Sequence, residues 1–352
     1  MPPEPTIMNR LKAQTCKQPP VVEANLTGKT VVVLGGSPFL LYSEIRLMIP
    51  GSKAQTPVSD CESCKHFAKM NAGKIILACR SESRGRAAVD KLRQETGYTK
   101  GELWIVDLAD FRSVISFVDK YEREGGRLDI LLANAAMEPG KFVPTKDGWE
   151  STMQVNYLAT SLVVLLLLPT MERTARECGT RPRVVSVSSE LIYDVGFEPE
   201  AVAQRGIVKT LADPEYLKKG ARMRQQYSIT KLLNLSFTRS LTTHLPHTSP
   251  LIAVAPAPGF CVSELRRDLT GAFKHVAKLM ETLIALPTEV GARRLVAGAV
   301  GYAGREDELK GQFMNRAEVG GRVEERIWVE TLELLGKVDS RVKAVAERYL
   351  SG

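Results

Sequence analysis

Six short aliphatic runs punctuate the chain: Thr30 to Leu34, Lys74 to Ala78, Leu103 to Val106, Ile130 to Ala133, Arg183 to Ser188 and Leu251 to Ala255. Each is nearly all apolar rather than alternating, the pattern of strands buried on both faces of a parallel sheet. Between them, apolar residues return at steps of three and four. In "DFRSVISFVDKYERE", Phe111, Val114, Ile115 and Val118 form one stripe, and Asp110 is placed to cap its start. "SRGRAAVDKLRQE", "GWESTMQVNYLATSLVVLLLLPTMERTARE" and "QQYSITKLLNLSFTRSLTTHL" supply further helices. Strands alternating with helices predict an α/β fold, a doubly wound, mostly parallel sheet with helices on both faces.

Two stretches resist this rhythm. Glu190 to Arg224 is too long for an ordinary connection, and connections of that length usually carry function. Pro38 to Lys65 contains Pro50, Gly51 and Pro57 where a compact turn should pass into a helix. The reading is a single domain over 26–315, with an N-terminal arm at 1–25 and a C-terminal helical extension at 316–352. Within the domain, 38–61 is an atypical insertion, and 190–226 and 264–286 are segments expected to cover a substrate. In the second of these, Leu265, Leu269, Phe273, Val276, Leu279, Met280 and Leu283 form one apolar helical face, suited to a bulky apolar small molecule.

Composition narrows the classes. The 352 residues include 48 Lys+Arg and 40 Asp+Glu, and the net charge of +8 fits an anionic ligand such as a phosphorylated cofactor. There is no dense basic block interleaved with aromatics, so no nucleic-acid partner is expected. Cys61 and Cys64 form a lone C-x-x-C without a second ligand pair, so no metal is expected either. Six sparse cysteines fit a reducing, cytoplasmic setting. The longest apolar run, Leu162 to Pro169, falls short of the roughly 20 residues that cross a bilayer, so it reads as a buried helix and not as an integral membrane segment.

The sharpest chemical signal is Tyr227-Ser228-Ile229-Thr230-Lys231 at the start of a predicted helix. A spacing of four puts the phenol and the ammonium on one face, where the positive charge stabilises tyrosinate and suits Tyr227 to proton transfer. Other motifs surround it in order: Asn134-Ala135-Ala136 after the fourth strand, Asn156 in the next helix, Ser188-Ser189 after the fifth strand, and "APAPGFCVSEL" from Ala255 after the sixth. In this ordered series the chain resembles the short-chain dehydrogenase/reductase family from about Asn25 to Gly311, and most resembles large fungal-type members related to retinol dehydrogenases.

The resemblance implies a Rossmann-type fold and a set of roles. Tyr227 would be the general acid in carbonyl reduction or the base in alcohol oxidation, with Lys231 lowering its pKa and holding the nicotinamide ribose. Ser189, rather than Ser188, would hold the substrate oxygen, and Asn156 would hold a water that relays protons to Lys231. Pro258, Gly259, Val262 and Ser263 would embrace the nicotinamide, and Asn134 and Asp107 would contact the cofactor. Arg80 directly after the second strand, where NAD enzymes place an acid, favours NADP(H), with Ser81, Arg84 and Arg86 behind it. A homodimer is a further expectation.

The first turn departs from the family. Leu34 stands for its threonine and Gly35 for its first glycine, but Phe39 and Leu41 occupy the next two glycine positions. Those glycines admit the pyrophosphate to the backbone N–H groups at a helix N-terminus. Gly35 and Ser37 remain as the turn's contribution to cofactor binding, and the helix expected next resumes only near Glu62. The intervening stretch is either a true insertion or intron-derived sequence. The function expected is NADP(H)-dependent interconversion of a carbonyl and a primary or secondary alcohol on a bulky apolar molecule, with a place in secondary metabolism. The alternative is a non-catalytic relative with a scaffold or binding role.

Overall fold

In a computed structural model, residues 20–35, 59–259, 286–312 and 321–350 are described. Six parallel strands form one sheet in the order β3-β2-β1-β4-β5-β6, with β1 Thr30–Leu34, β2 Lys74–Cys79, β3 Gly101–Ile105, β4 Ile130–Ala133, β5 Arg183–Ser186 and β6 Ile252–Val254. The chain leaves β1 toward one edge through β2 and β3, then returns to pair β4 on the other side of β1. This is the expected doubly wound Rossmann-type sheet. All six strands match the apolar runs to within about two residues. The fifth is shorter, ending at Ser186 rather than Ser188.

Alternating side chains sort into two cores. Val32, Leu34, Ile76, Ala78, Leu131 and Ala133 face one layer, while Val31, Val33, Ile75, Leu77, Ile130 and Leu132 face the other. The second layer is built by α1 (Ser59–Lys69), α2 (Glu82–Thr96) and α9 (Thr288–Val300). The first is built by α3 (Phe111–Lys120), α4 (Ser151–Cys178) and α8 (Arg222–His244), backed by α10 (Gly321–Val338) and α11 (Arg341–Tyr349). Asp110 caps α3 as its position predicts, accepting from Arg112 N at 3.0 Å.

Over 162–168 helix α4 is apolar on every side. Its 28 residues are long and apolar enough to cross a membrane, yet its most apolar 18-residue window is wholly buried inside the fold. The surface that would otherwise meet solvent is covered by α3 on one flank and α11 on another. Each fully buried leucine of Leu165–Leu168 contributes about 1.5–3 kcal/mol through removal from water. The helix is entered through Glu150, whose buried carboxylate accepts from Thr152 N at 2.8 Å and Met153 N at 2.9 Å. A negative charge there also meets the positive end of the helix dipole.

The long stretch after β5 is not a bare loop. It folds as a 3₁₀ turn, Glu190–Asp194, followed by α5 (Pro199–Ala203), α6 (Ile207–Ala212) and α7 (Pro214–Leu217).

Candidate active site

The topology brings the candidate residues to one edge. Gly35, Arg80 and Asn134 directly follow β1, β2 and β4, and Asp107 lies two residues beyond β3. All four are half-exposed at the carboxyl ends of the strands. In open α/β sheets, ligands bind in the crevice there, where the strand order reverses, here between β1 and β4.

Gly35 has φ +106°, and a Cβ on it would stand 2.7 Å from both the Cα and the N of Ala135. Its N–H donates to Ala78 O at 2.9 Å, and Asn134 N donates to Leu34 O at 3.1 Å. The absence of a side chain at Gly35 therefore lets the β1 turn close directly onto the Asn134-Ala135 corner. Asp107 shapes its own turn, with Oδ1 accepting from Ala109 N at 3.0 Å. Arg80 directly follows β2, and Arg86, farther along in α2, is paired with Glu82 at 2.6 Å.

Tyr227 and Lys231 sit in the first turns of α8. The Lys231 ammonium is 1% exposed, donates to Val187 O at 2.8 Å, and lies 5.7 Å from the centre of the Tyr227 ring. A buried ammonium is costly unless held by polar partners, and here the carbonyl at the end of β5 supplies one. Tyr227 itself is half-exposed, whereas Lys231 is buried.

Asn156 occupies a wide π-turn at Gln154–Leu158 within α4, the kind of helix irregularity that often marks a functional site. Its fully buried amide makes three hydrogen bonds: Oδ1 accepts from Met137 N at 2.8 Å, and Nδ2 donates to Met137 O at 3.0 Å and to Thr230 Oγ1 at 3.1 Å. Thr230 in turn donates to Tyr227 O at 2.7 Å. The side chain of Asn156 thus fastens the segment after β4 to the turn of α8 that carries Tyr227 and Lys231.

The two serines diverge. Ser188 is buried and donates to Lys231 O at 2.9 Å, whereas half-exposed Ser189 caps the 3₁₀ turn, accepting from Leu191 N at 3.2 Å. The strand itself ends before either, at Ser186.

Ser37, Phe39, Leu41, Val262 and Ser263 lie outside the described residues, as do residues 264–285 of the expected lid. Cys64 is buried in α1, and among the described residues no group of three or more His, Cys, Asp or Glu side chains could hold a metal. Thr230, Ser188, Gln226 and Glu150 are site-supporting residues that the motif reading passed over. Gln226 Nε2 donates to Glu150 Oε2 at 3.1 Å and to Leu211 O at 3.0 Å, immediately before Tyr227.

The described residues fit a nicotinamide cofactor. They provide a side-chain-free corner at Gly35, polar side chains beyond the ends of β2, β3 and β4, and a Tyr/Lys pair near the carboxyl end of β5. Comparison with known proteins agrees. Residues 61–198 match the sequence profile of the short chain dehydrogenase family, starting where the atypical stretch ends. The chain is 33% identical over 259 residues to the short chain dehydrogenase atnD of Emericella nidulans, covering 72% of this chain and 79% of that one. It is 29% identical over 347 residues to the short chain dehydrogenase/reductase dmxR8 of a Cryptosporiopsis species, covering 94% and 98%. The chain belongs to the short-chain dehydrogenase/reductase family of oxidoreductases.

Solved structures repeat the fold. An uncharacterised protein of Mycobacterium paratuberculosis superposes with a TM-score of 0.59 at 22% identity, covering 90% of this chain and 98% of that one. Salutaridine reductase of Papaver somniferum does so with a TM-score of 0.56 at 18% identity, covering 81% and 99%.

Proposed function

We propose that this protein is an NADP(H)-dependent oxidoreductase that interconverts a carbonyl and an alcohol on a bulky, apolar small molecule. The observation that carries the reading is the buried Lys231 ammonium 5.7 Å from the ring centre of half-exposed Tyr227. When bound, the nicotinamide supplies or accepts hydride at the substrate carbon. The chain's own residues do the rest. In reduction, Tyr227 Oη gives its proton to the substrate oxygen, and Lys231 keeps that proton acidic by favouring the tyrosinate left behind. Ser189 Oγ donates to the same oxygen as charge grows on it. Asn156 holds Thr230, and through it the Tyr227 backbone, in place.

Gly35, Asn134, Asp107 and Arg80 would hold the cofactor, together with Ser37, Val262 and Ser263. Arg80 at the end of β2 supports the phosphorylated form. The fungal origin of the relatives supports a place in secondary metabolism. A homodimer would have to use a face other than the buried flanks of α4.

Titration of the purified protein with NADPH, followed by nicotinamide fluorescence, tests the cofactor assignment. Saturable binding well below millimolar concentration is expected, and its absence sinks the reading in favour of a non-catalytic role. With 9,10-phenanthrenequinone as the carbonyl probe, Tyr227→Phe should lower turnover by about 10²–10⁴-fold and leave NADPH affinity unchanged.

A further inference from the structure

Helix α10 does more than fill the core. Glu330, 8% exposed, reaches across to the start of α6, where its carboxylate accepts from Val208 N at 2.9 Å and Lys209 N at 3.1 Å. One turn earlier on the same helix, Arg326 donates to Val202 O at 2.6 Å and Gln204 O at 2.5 Å, at the end of α5. An acid thus meets the N-terminus of one short helix and a base meets the C-terminus of the other, each the favourable sign for the helix dipole. Neither short helix has a side chain of its own capping these groups. At six residues or fewer, neither would be stable alone.

The grip is transmitted to the site at both ends of α10's contact. At the far end of α6, Leu211 O is held by Gln226 Nε2, one residue before Tyr227. Next to Glu330, Thr331 Oγ1 lies 2.7 Å from the hydroxyl of Tyr157, which directly follows Asn156. Burial pushes the Tyr157 phenol above its ordinary pKa, so this hydroxyl stays protonated and serves as an anchor. Helix α10 therefore holds the covering segment through Arg326 and Glu330 and meets α4, which carries Asn156, through Thr331.

We propose that Arg326 and Glu330 are positioning residues that fix the segment 199–212 against the site, and so set affinity for the carbonyl substrate without taking part in proton transfer. This rests on reading Tyr227 as the acid and this segment as a substrate cover.

The test uses the full-length protein with Glu330→Ala, Glu330→Gln and Arg326→Gln, NADPH, and 9,10-phenanthrenequinone. Glu330→Ala removes both acceptors and Glu330→Gln removes one. Amide exchange at Val208 and Lys209 should quicken by about tenfold in Glu330→Ala, the equilibrium effect of losing one cap, and by less in Glu330→Gln. KM should rise in the same graded order, with kcat within about twofold and NADPH affinity unchanged. Unaltered exchange in 199–212 overturns the proposal, and so does faster exchange with unaltered KM. If Glu330→Ala does not fold, Arg326→Gln, at a solvent-exposed contact, decides through the exchange of 202–206 and the same KM comparison. If the wild-type chain turns over no carbonyl while the variants still exchange faster, the positioning of the segment stands and the functional reading falls.

Discussion

Adding a single methyl group to Gly35 probes the corner on which the cofactor crevice is built. At φ +106° an alanine leaves the regions that L-residues populate, which costs about 1–3 kcal/mol. Its Cβ would also stand 2.7 Å from the Cα and the N of Ala135, and these are backbone atoms held by the sheet, not the end of a flexible side chain. Overpacking of this kind costs about 1–3 kcal/mol more. The sum, about 2–6 kcal/mol, is a large share of the roughly 5–15 kcal/mol that keeps a domain folded. At roughly 1.5 °C per kcal/mol for a chain of this length, Gly35→Ala should lower the melting temperature by about 3–9 °C. Because Asn134 N is bonded to Leu34 O, any relief by backbone shift moves Asn134 as well. NADPH affinity should therefore fall together with stability. A variant that melts within about 1 °C of the wild type and binds NADPH equally well would refute the close approach of β1 to the Asn134-Ala135 corner.

Three further outcomes are expected. Lys231→Met removes the buried ammonium, so turnover at pH 7 should drop by at least about 100-fold and the pH profile of alcohol oxidation should move to higher pH; an unshifted profile would separate Lys231 from the Tyr227 phenol. Asn156→Ala strips the partners from the N–H and C=O of Met137 and should destabilise the protein by about 2–4 kcal/mol in denaturant unfolding, with loss of activity; wild-type stability would contradict the bonds described. The third concerns His66, whose Nε2 stands 3.2 Å from Glu289 Oε1 without the alignment of a hydrogen bond. Burial holds its pKa below the ordinary 6.5, against the opposing pull of Glu289. The unfolded chain thus takes up a proton at this residue before the folded one does. Its contribution to stability is complete above pH 6.5 and is lost as pH falls through the lowered folded value. Thermal melts between pH 7 and pH 5 should show a smaller acid loss in His66→Gln than in the wild type, and equal slopes would refute it.

What could be read from the sequence was local. The buried strands β1, β2, β4, β5 and β6 announced themselves because both faces are covered, so nearly every residue in a run is apolar, whereas edge strand β3 keeps Glu102 and Ile105 exposed. Asp110 was legible because a cap acts within three residues of itself. The short helices at 199–217 went unread, although Pro199 and Pro214 stand at the first helical position and Asp213 caps the second of these starts. Asn156 was found by its motif position, but its bonds to Met137 and Thr230 span 19 and 74 residues, and no spacing rule reaches that far. The grip of Glu330 on α6 spans 122 residues and was equally invisible. The last helices therefore read as an extension, whereas Ile327, Trp328, Val342 and Val345 are members of the main core.

The cover that α11 places on α4 also sets an order of events during synthesis. Helix α4 is complete at Cys178, yet the helix that shields its flank is not made until Arg341–Tyr349, roughly 170 residues later. At about 5–20 residues per second, the most apolar segment of the chain waits roughly 8–34 s for its last neighbour. A nascent chain in that interval presents a leucine-rich surface to whatever is nearby. The yield of folded protein should accordingly depend on translation speed and on chaperone supply, and a chain cut before Arg341 should collect in the insoluble fraction even though its sheet and the Tyr227/Lys231 pair are all present.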